Sequence, residues 1–160
     1  MLNVAAGTYA EDFAKQYGVK YETRAFVYNP IASGSCGVDA QWAMYENGEL
    51  WITGTGAMVN YASHNDQPWY KSNHLIKRIV IGKDITAVGN YAFCYAQNVT
   101  EIVFEEGSKL EKVGVLSFHN LPKVTSVVLP ETVTYIGAYG FGDCFGLTSL
   151  YVPQGVSNIY

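Results

Sequence analysis

The 160-residue chain is predicted to be a β-rich α/β solenoid, with parallel strands joined by short helical turns and an N-terminal β-hairpin cap. Three observations carry that expectation. Apolar columns recur at a nearly constant step from Ile76 to the end of the chain. Two alternating segments flank Asn47-Gly48, the strongest short hairpin signal a sequence offers. Hydrophobic residues make up 49% of the chain and charged ones 15%, a balance that excludes a disordered polar tail and leaves enough apolar surface for a core.

The repeat is read from its start points at Ile76, Val99, Val124 and Leu147, which step by 23, 25 and 23 residues. The longer second unit carries two extra residues in its Glu-Glu-Gly-Ser-Lys turn. Ile79, Ile102, Val127 and Leu150 follow three positions into each unit, and Ile81, Phe104, Leu129 and Val152 two positions later. These pairs form a short strand with both side chains pointing inward. Ile85, Leu110, Val133 and Val156 come next, then Val88, Val113, Ile136 and Ile159. Gly89, Gly114 and Gly137 close the column, where either a positive φ or close approach of the next coil requires glycine. Phe93, Phe118 and Phe141 then plug each complete coil from a short helical turn. One coil cannot bury its own apolar side, so the shared columns predict stacking around a continuous core.

Upstream of the repeats, Thr8 is placed to cap a helix running through Tyr17 and ended by Gly18, followed by a strand at Val19-Lys20-Tyr21-Glu22. Asn29-Pro30-Ile31-Ala32-Ser33-Gly34 reads as a linker of small residues. The segment Gln41 to Gly54 reads as the hairpin, with Trp42, Trp51 and Trp69 supplying the bulk that covers the first coil. The organisation is therefore 1–28, a helix and strand; 29–74, linker and hairpin cap; and 75–160, the repeat coils.

The repeat units resemble the bacterial BspA-type leucine-rich repeats, whose pattern is a strand, Pro, Val-x-x-Ile-Gly, Ala-Phe, Cys and Leu. Val133-Thr134-Tyr135-Ile136-Gly137 and Phe141-Gly142-Asp143-Cys144 fit it best; Ala96 and Leu121 stand where the family often has Cys. Ser33-Gly34-Ser35-Cys36-Gly37, Trp42, Asn47-Gly48, Gly54-Thr55-Gly56-Ala57-Met58 and Pro68-Trp69-Tyr70 resemble the lead-in that precedes such arrays. Thr8 to Val19 resembles the segment that closes an upstream array, which implies an excerpt of a longer protein whose last coil is cut short at Tyr160. The resemblance implies a leucine-rich-repeat fold and a non-catalytic extracellular module of a bacterial surface protein that binds a protein, host or matrix component. The alternatives are a structural spacer, or a carbohydrate-binding accessory module of a secreted enzyme using Trp51, Trp69 and Tyr70.

No catalytic set emerges. Ser63, His64 and Asp66 crowd one loop, whereas triad members are brought together by the fold. The spacings contain no HExxH pair, EF-hand loop or phosphate loop, and Gly54-Thr55-Gly56 lacks the following Gly-Lys-Ser/Thr. Glu105-Glu106 and Glu111 read as a solvated turn, and the Asn98-Val99-Thr100 sequon is a chance match because Val99 is a core column. Cys36, Cys94 and Cys144 are odd in number and match no zinc spacing, so they read as buried free thiols. No cofactor and no metal are expected. The net charge is −4 and neither half of the chain is basic, which argues against nucleic acid. No apolar run reaches the length of a bilayer span, so no membrane insertion is expected, and the start of the chain lacks a signal peptide. An export signal for an extracellular or cell-surface protein would lie outside this chain.

What remains is surface. Between the inward strand residues lie two outward columns, an apolar one of Val80, Val103, Val128 and Tyr151 and a polar one of Arg78, Glu101, Ser126 and Ser149. This strand face is the expected partner-binding surface. The open edge of the last coil is a place where a second copy could pair.

Overall fold

The computed structural model describes residues 2–5, 21–24 and 29–159. Strands β1 (Leu2–Ala5) and β2 (Tyr21–Arg24) form a two-stranded parallel sheet of their own. Of the strand expected at Val19 to Glu22, Tyr21 and Glu22 are described and lie in β2, while Val19 and Lys20 fall outside the described residues. The expected helix from Thr8 to Tyr17 falls outside the described residues.

The remaining strands begin with β3 (Pro30–Ser35), β4 (Gly37–Tyr45) and β5 (Glu49–Met58), which form an antiparallel meander. Residues 29–34 were expected to be a linker, but from Pro30 onward they form β3 and pair with β4, Ser33 opposite Ala43 and Gly34 opposite Trp42. Asn47 and Gly48 make the hairpin turn between β4 and β5, with Gly48 at φ +88°. Two 3-10 helices follow, His64–Asp66 and Tyr70–Leu75. Ser63 and Asp66 form a reciprocal capping box around the first, so their side chains are committed to the backbone and not to a triad with His64.

From Ile76 the repeats lay down two parallel ladders. The first contains β6 (Arg78–Ile81) and β8 (Glu101–Phe104), with Ile79 beside Ile102 and Ile81 beside Phe104. A separate parallel pair follows, β10 (Ser126–Val128) and β12 (Ser149–Tyr151), where Val127 pairs with Leu150. β8 and β10 are neighbours but do not share a ladder. The second ladder is unbroken through β7 (Ile85–Val88), β9 (Lys112–Val113), β11 (Tyr135–Ile136) and β13 (Asn158–Ile159). β5 joins both: Leu50 and Ile52 pair with Ile79 and Ile81, while Gly56 and Ala57 pair with Ile85 and Ala87. Gly54 at φ +91° and Gly56 at φ +80° let the strand turn from one ladder to the other, which accounts for the Gly-Thr-Gly motif.

The interior follows the columns. Ile79, Ile81, Ile85, Val88, Leu110, Val113, Val127, Val133 and Ile136 are buried together with Met44, Leu50 and Ile52 of the hairpin. The rings of Phe93, Phe118 and Phe141 stack at centroid spacings of 5.2 and 5.2 Å. Trp69 extends the same column, 5.6 Å from Phe93 and nearly parallel to it, and donates its indole N–H to Ala92 O at 3.1 Å. Trp42 packs edge-on against Trp69. Of the three tryptophans expected to cover the first repeat, Trp42 and Trp69 are buried and Trp51 is only half-buried, on the other side of the strand.

The turns carrying the phenylalanines differ from the expected short helices. Tyr91, Leu116 and Tyr139, and four residues later Tyr95, Asn120 and Asp143, all have left-handed φ between 53° and 64°. The alternating conformation sends every second N–H to the next repeat: Tyr91, Phe93 and Tyr95 donate to the carbonyls of Val115, Ser117 and His119. Leu116, Phe118 and Asn120 repeat the pattern onto Ala138, Gly140 and Gly142. A helix would have kept these donors within its own turn, so hydrogen bonding between repeats outweighs local helix formation here. Gly89, Gly114 and Gly137 are not left-handed. They are needed for close approach: a Cβ on Gly114 would stand 2.7 Å from Asn90 N and Gly89 C.

Candidate functional site

The first ladder puts the predicted face on one side of the sheet. In register across β5, β6 and β8 run Glu49, Arg78 and Glu101, and beside them Trp51, Val80 and Val103. Arg78 bridges its two neighbours, Nη1 to Glu49 Oε1 and Nε to Glu101 Oε2, both at 2.8 Å. Burial opposes ionisation of Glu49, but hydrogen bonds from Trp51 and Arg78 outweigh it and hold its carboxyl below the usual range. Glu49 and Trp51 belong to this face and were not foreseen in it. The signal was available, since Glu49-Leu50-Trp51-Ile52 alternates in phase with Arg78-Ile79-Val80-Ile81.

The exposure of the face is graded. Val80, expected to be accessible, is only 2% exposed, set between the indole-bearing strand position of Trp51 and Val103. Val103 is half-buried, Val128 is 69% exposed, and Tyr151 and Glu101 are also exposed. Ser126 and Ser149 pair in register and are exposed, as are Val128 and Tyr151. The Tyr151 hydroxyl donates to Glu131 Oε1 at 2.6 Å, and this contact with a carboxylate holds the phenol above its usual range. Val128 borders a groove of about 380 Å³ that is also lined by Leu129, Pro130, Glu105, Glu106 and Glu131. The accessible part of the face is therefore Val103, Val128 and Tyr151 with their polar neighbours; Val80 is its buried end.

The expected aromatic patch is not brought together. Trp69 is buried in the ring stack, Trp51 lies on the sheet face, and Tyr70 lies in the second 3-10 helix, 5.7 Å from the His64 ring. Cys36 and Cys94 are buried, their thiols pushed up by desolvation to about 12 and about 11. Cys144 is half-buried and donates to Phe118 O at 3.1 Å. Asn98, the asparagine of the sequon, donates to His74 O and accepts from Lys123 Nζ. Among the described residues no three His, Cys, Asp or Glu side chains converge as metal ligands, and no helix is long and apolar enough to cross a membrane.

The family model described as BspA type Leucine rich repeat region (6 copies) matches residues 66–160. The chain belongs to this family. Repeats of this family occur in bacterial surface proteins, are generally non-enzymatic, and generally mediate protein interactions. No curated protein matches the chain. Among solved structures it is similar to a leucine-rich repeat protein from Eubacterium ventriosum, at 19% identity and a TM-score of 0.53 over 79% of this chain and 46% of that one. It also matches a leucine rich cell surface protein from Faecalibacterium prausnitzii, at 16% identity and a TM-score of 0.42 over 81% and 45%. A leucine-rich repeat protein of T. pallidum matches at 19% identity and a TM-score of 0.42 over 84% and 72%. The chain thus spans under half the length of the first two. The first likeness supports the fold.

Proposed function

We propose that the chain is a non-catalytic binding module of a bacterial cell-surface protein, and that it docks a protein partner through the outward strand face of its repeats. In this reading the repeats stack as a solenoid, the β4–β5 hairpin caps it, and residues 1–28 are the tail of a preceding array. The observation that carries the proposal is Val128, 69% exposed on the outer side of β10, where it pairs in register with Tyr151 of β12. Val103 and Tyr151 share its column, and Glu101, Ser126 and Ser149 stand alongside. An apolar strip with a polar border on a hydrogen-bonded ladder offers contact area with little ordering cost on binding. The acidic lining beside Val128 selects for a partner carrying basic groups next to its apolar contact.

The test is retention of the chain on immobilised extracellular-matrix and host-surface proteins. A Val103→Glu/Val128→Glu variant with an unchanged melting curve is expected to lose the retained partner by at least tenfold, about 1.4 kcal/mol. Equal retention of the variant rules out this face. No retention of either chain favours the structural spacer.

A further inference from the structure

A second surface lies away from the strand face, where the lead-in helices meet the turns of the first repeat. The His64 ring sits between two tyrosines, 5.7 Å from Tyr70 and 4.9 Å from Tyr95. Both tyrosines are large apolar rings left open, Tyr70 at 40% and Tyr95 at 43% exposure. They border a groove of about 560 Å³, a size within the ~300–1,000 Å³ typical of small-molecule sites.

The groove is held rather than loose. The Ser63–Asp66 capping box fixes the helix that presents His64. Tyr95 N–H is bonded to His119 O at 3.0 Å. Asn98 clamps His74 O at 2.8 Å and is itself tied to Lys123. On the buried side, Asn73 is only 7% exposed; its Nδ2 donates to Gln67 Oε1 at 3.0 Å and its Oδ1 has no partner. Buried side-chain carbonyls are rarely left so; Asn73 is one of the residues around the groove, with its Oδ1 on the closed, inner side.

The lining selects the ligand chemistry. It contains no aliphatic side chain, so it does not suit the apolar anchor of a protein hot spot. Aromatic faces are present, and with them the planar amides of Asn73, Gln97 and Asn98. A pyranose ring matches that combination. Its C–H face meets the negative face of a tyrosine ring, and its hydroxyls both donate to and accept from amides. The charge is also distinct. Lys71 lines the groove with no carboxylate among the lining residues, in a chain of net charge −4. Asp66, the acid next to it in sequence, is committed to Ser63 N and Oγ at 2.9 and 3.1 Å.

We propose that the Tyr70–His64–Tyr95 groove binds the carboxylated sugar ring of an acidic glycan. The tyrosines stack on the ring, the Gln97 amide oxygen takes a hydroxyl, and Lys71 pairs with its carboxylate. This site is independent of the strand face.

The experiment is calorimetric titration of the full chain with trigalacturonate and, as the neutral probe, cellotriose. Tyr95→Asn is the informative variant, because Asn120 holds the same left-handed position in the next repeat at φ 56° and the backbone is thereby kept. Tyr70→Ala and Tyr95→Asn are each expected to weaken trigalacturonate by about tenfold. Lys71→Ala is expected to weaken it about fivefold at low salt and to leave cellotriose unchanged. The Val103→Glu/Val128→Glu variant is expected to bind trigalacturonate as the parent does. Absence of saturable binding at millimolar trigalacturonate overturns the proposal. So does binding that survives in a folded Tyr70→Ala/Tyr95→Asn double variant. Equal affinity for the two probes overturns the carboxylate assignment.

Discussion

Ile79 and Leu150 occupy the same inward column of the repeat, yet Ile79 is fully buried and Leu150 is 37% exposed. On the outer face the contrast recurs: Val80 is sealed at 2% and Val128 open at 69%. β6 has a neighbour on each side, β5 and β8, whereas β12 pairs only with β10 among the described residues. Burial in a repeat is therefore supplied by adjacent repeats and not by a unit's own sequence, as expected when stability is a sum of nearest-neighbour terms. The same gradient leaves Val128 and Tyr151 the open part of the strand face.

The largest effect should come from the centre of the ring stack. Phe118 is fully buried between Phe93 and Phe141, so Phe118→Ala is expected to cost about 3–5 kcal/mol in urea unfolding. Leu150→Ala, in the open end, should cost under about 1 kcal/mol, while Ile79→Ala in the same column should cost about 2–5 kcal/mol. Equal losses at 79 and 150 would mean that Leu150 is covered in solution.

Backbone approach sharpens the comparison next. A Cβ on Gly114 meets backbone atoms at 2.7 Å, while one on Gly155 meets nothing closer than 3.7 Å. Gly114→Ala is expected to lower the melting temperature by several degrees, the equivalent of about 1–3 kcal/mol, and Gly155→Ala to leave it nearly unchanged. In the opposite direction, Tyr139 is exposed at φ 54°, so Tyr139→Gly is expected to raise stability by up to about 1 kcal/mol. An unchanged or lower melting temperature would show that the ring makes a contact worth more than the strained backbone.

The smallest effect is electrostatic. Glu49 has its folded pKa below the unfolded value of about 4.3, so its contribution is complete above that value and is lost as pH falls through the folded pKa. Arg78→Gln, which removes both ion pairs, is expected to cost under about 1 kcal/mol at pH 7. It should cost less still in urea melts at a pH below the folded pKa of Glu49, where that carboxyl is protonated. A penalty that does not shrink at low pH would assign the loss to packing of the Arg78 stem.

The legible parts were those governed by local pattern. The in-register pairs Ile79–Ile102 and Val127–Leu150, and the Asn47-Gly48 hairpin, follow from period and turn chemistry alone. The polar column was legible for the same reason, since strand alternation assigns Arg78, Glu101, Ser126 and Ser149 to one side. The left-handed turn residues were not, because Tyr91 and Leu116 have no intrinsic preference for positive φ and adopt it where their N–H groups reach Val115 O and Ala138 O of the next repeat. Nor was the fate of the tryptophans: side-chain type marks an aromatic as bulky, but only the path of the chain sends Trp69 into the ring stack and Trp51 to the outer face.

Periodicity and alternation, both properties of neighbours along the chain, thus determined that this protein lays down parallel strands with shared apolar columns. The tertiary structure alone decided how much of each column stays in water. It also decided that Tyr70, His64 and Tyr95 meet across one groove. Exposure and convergence depend on which segments lie alongside, and that information is held in contacts between residues distant in sequence.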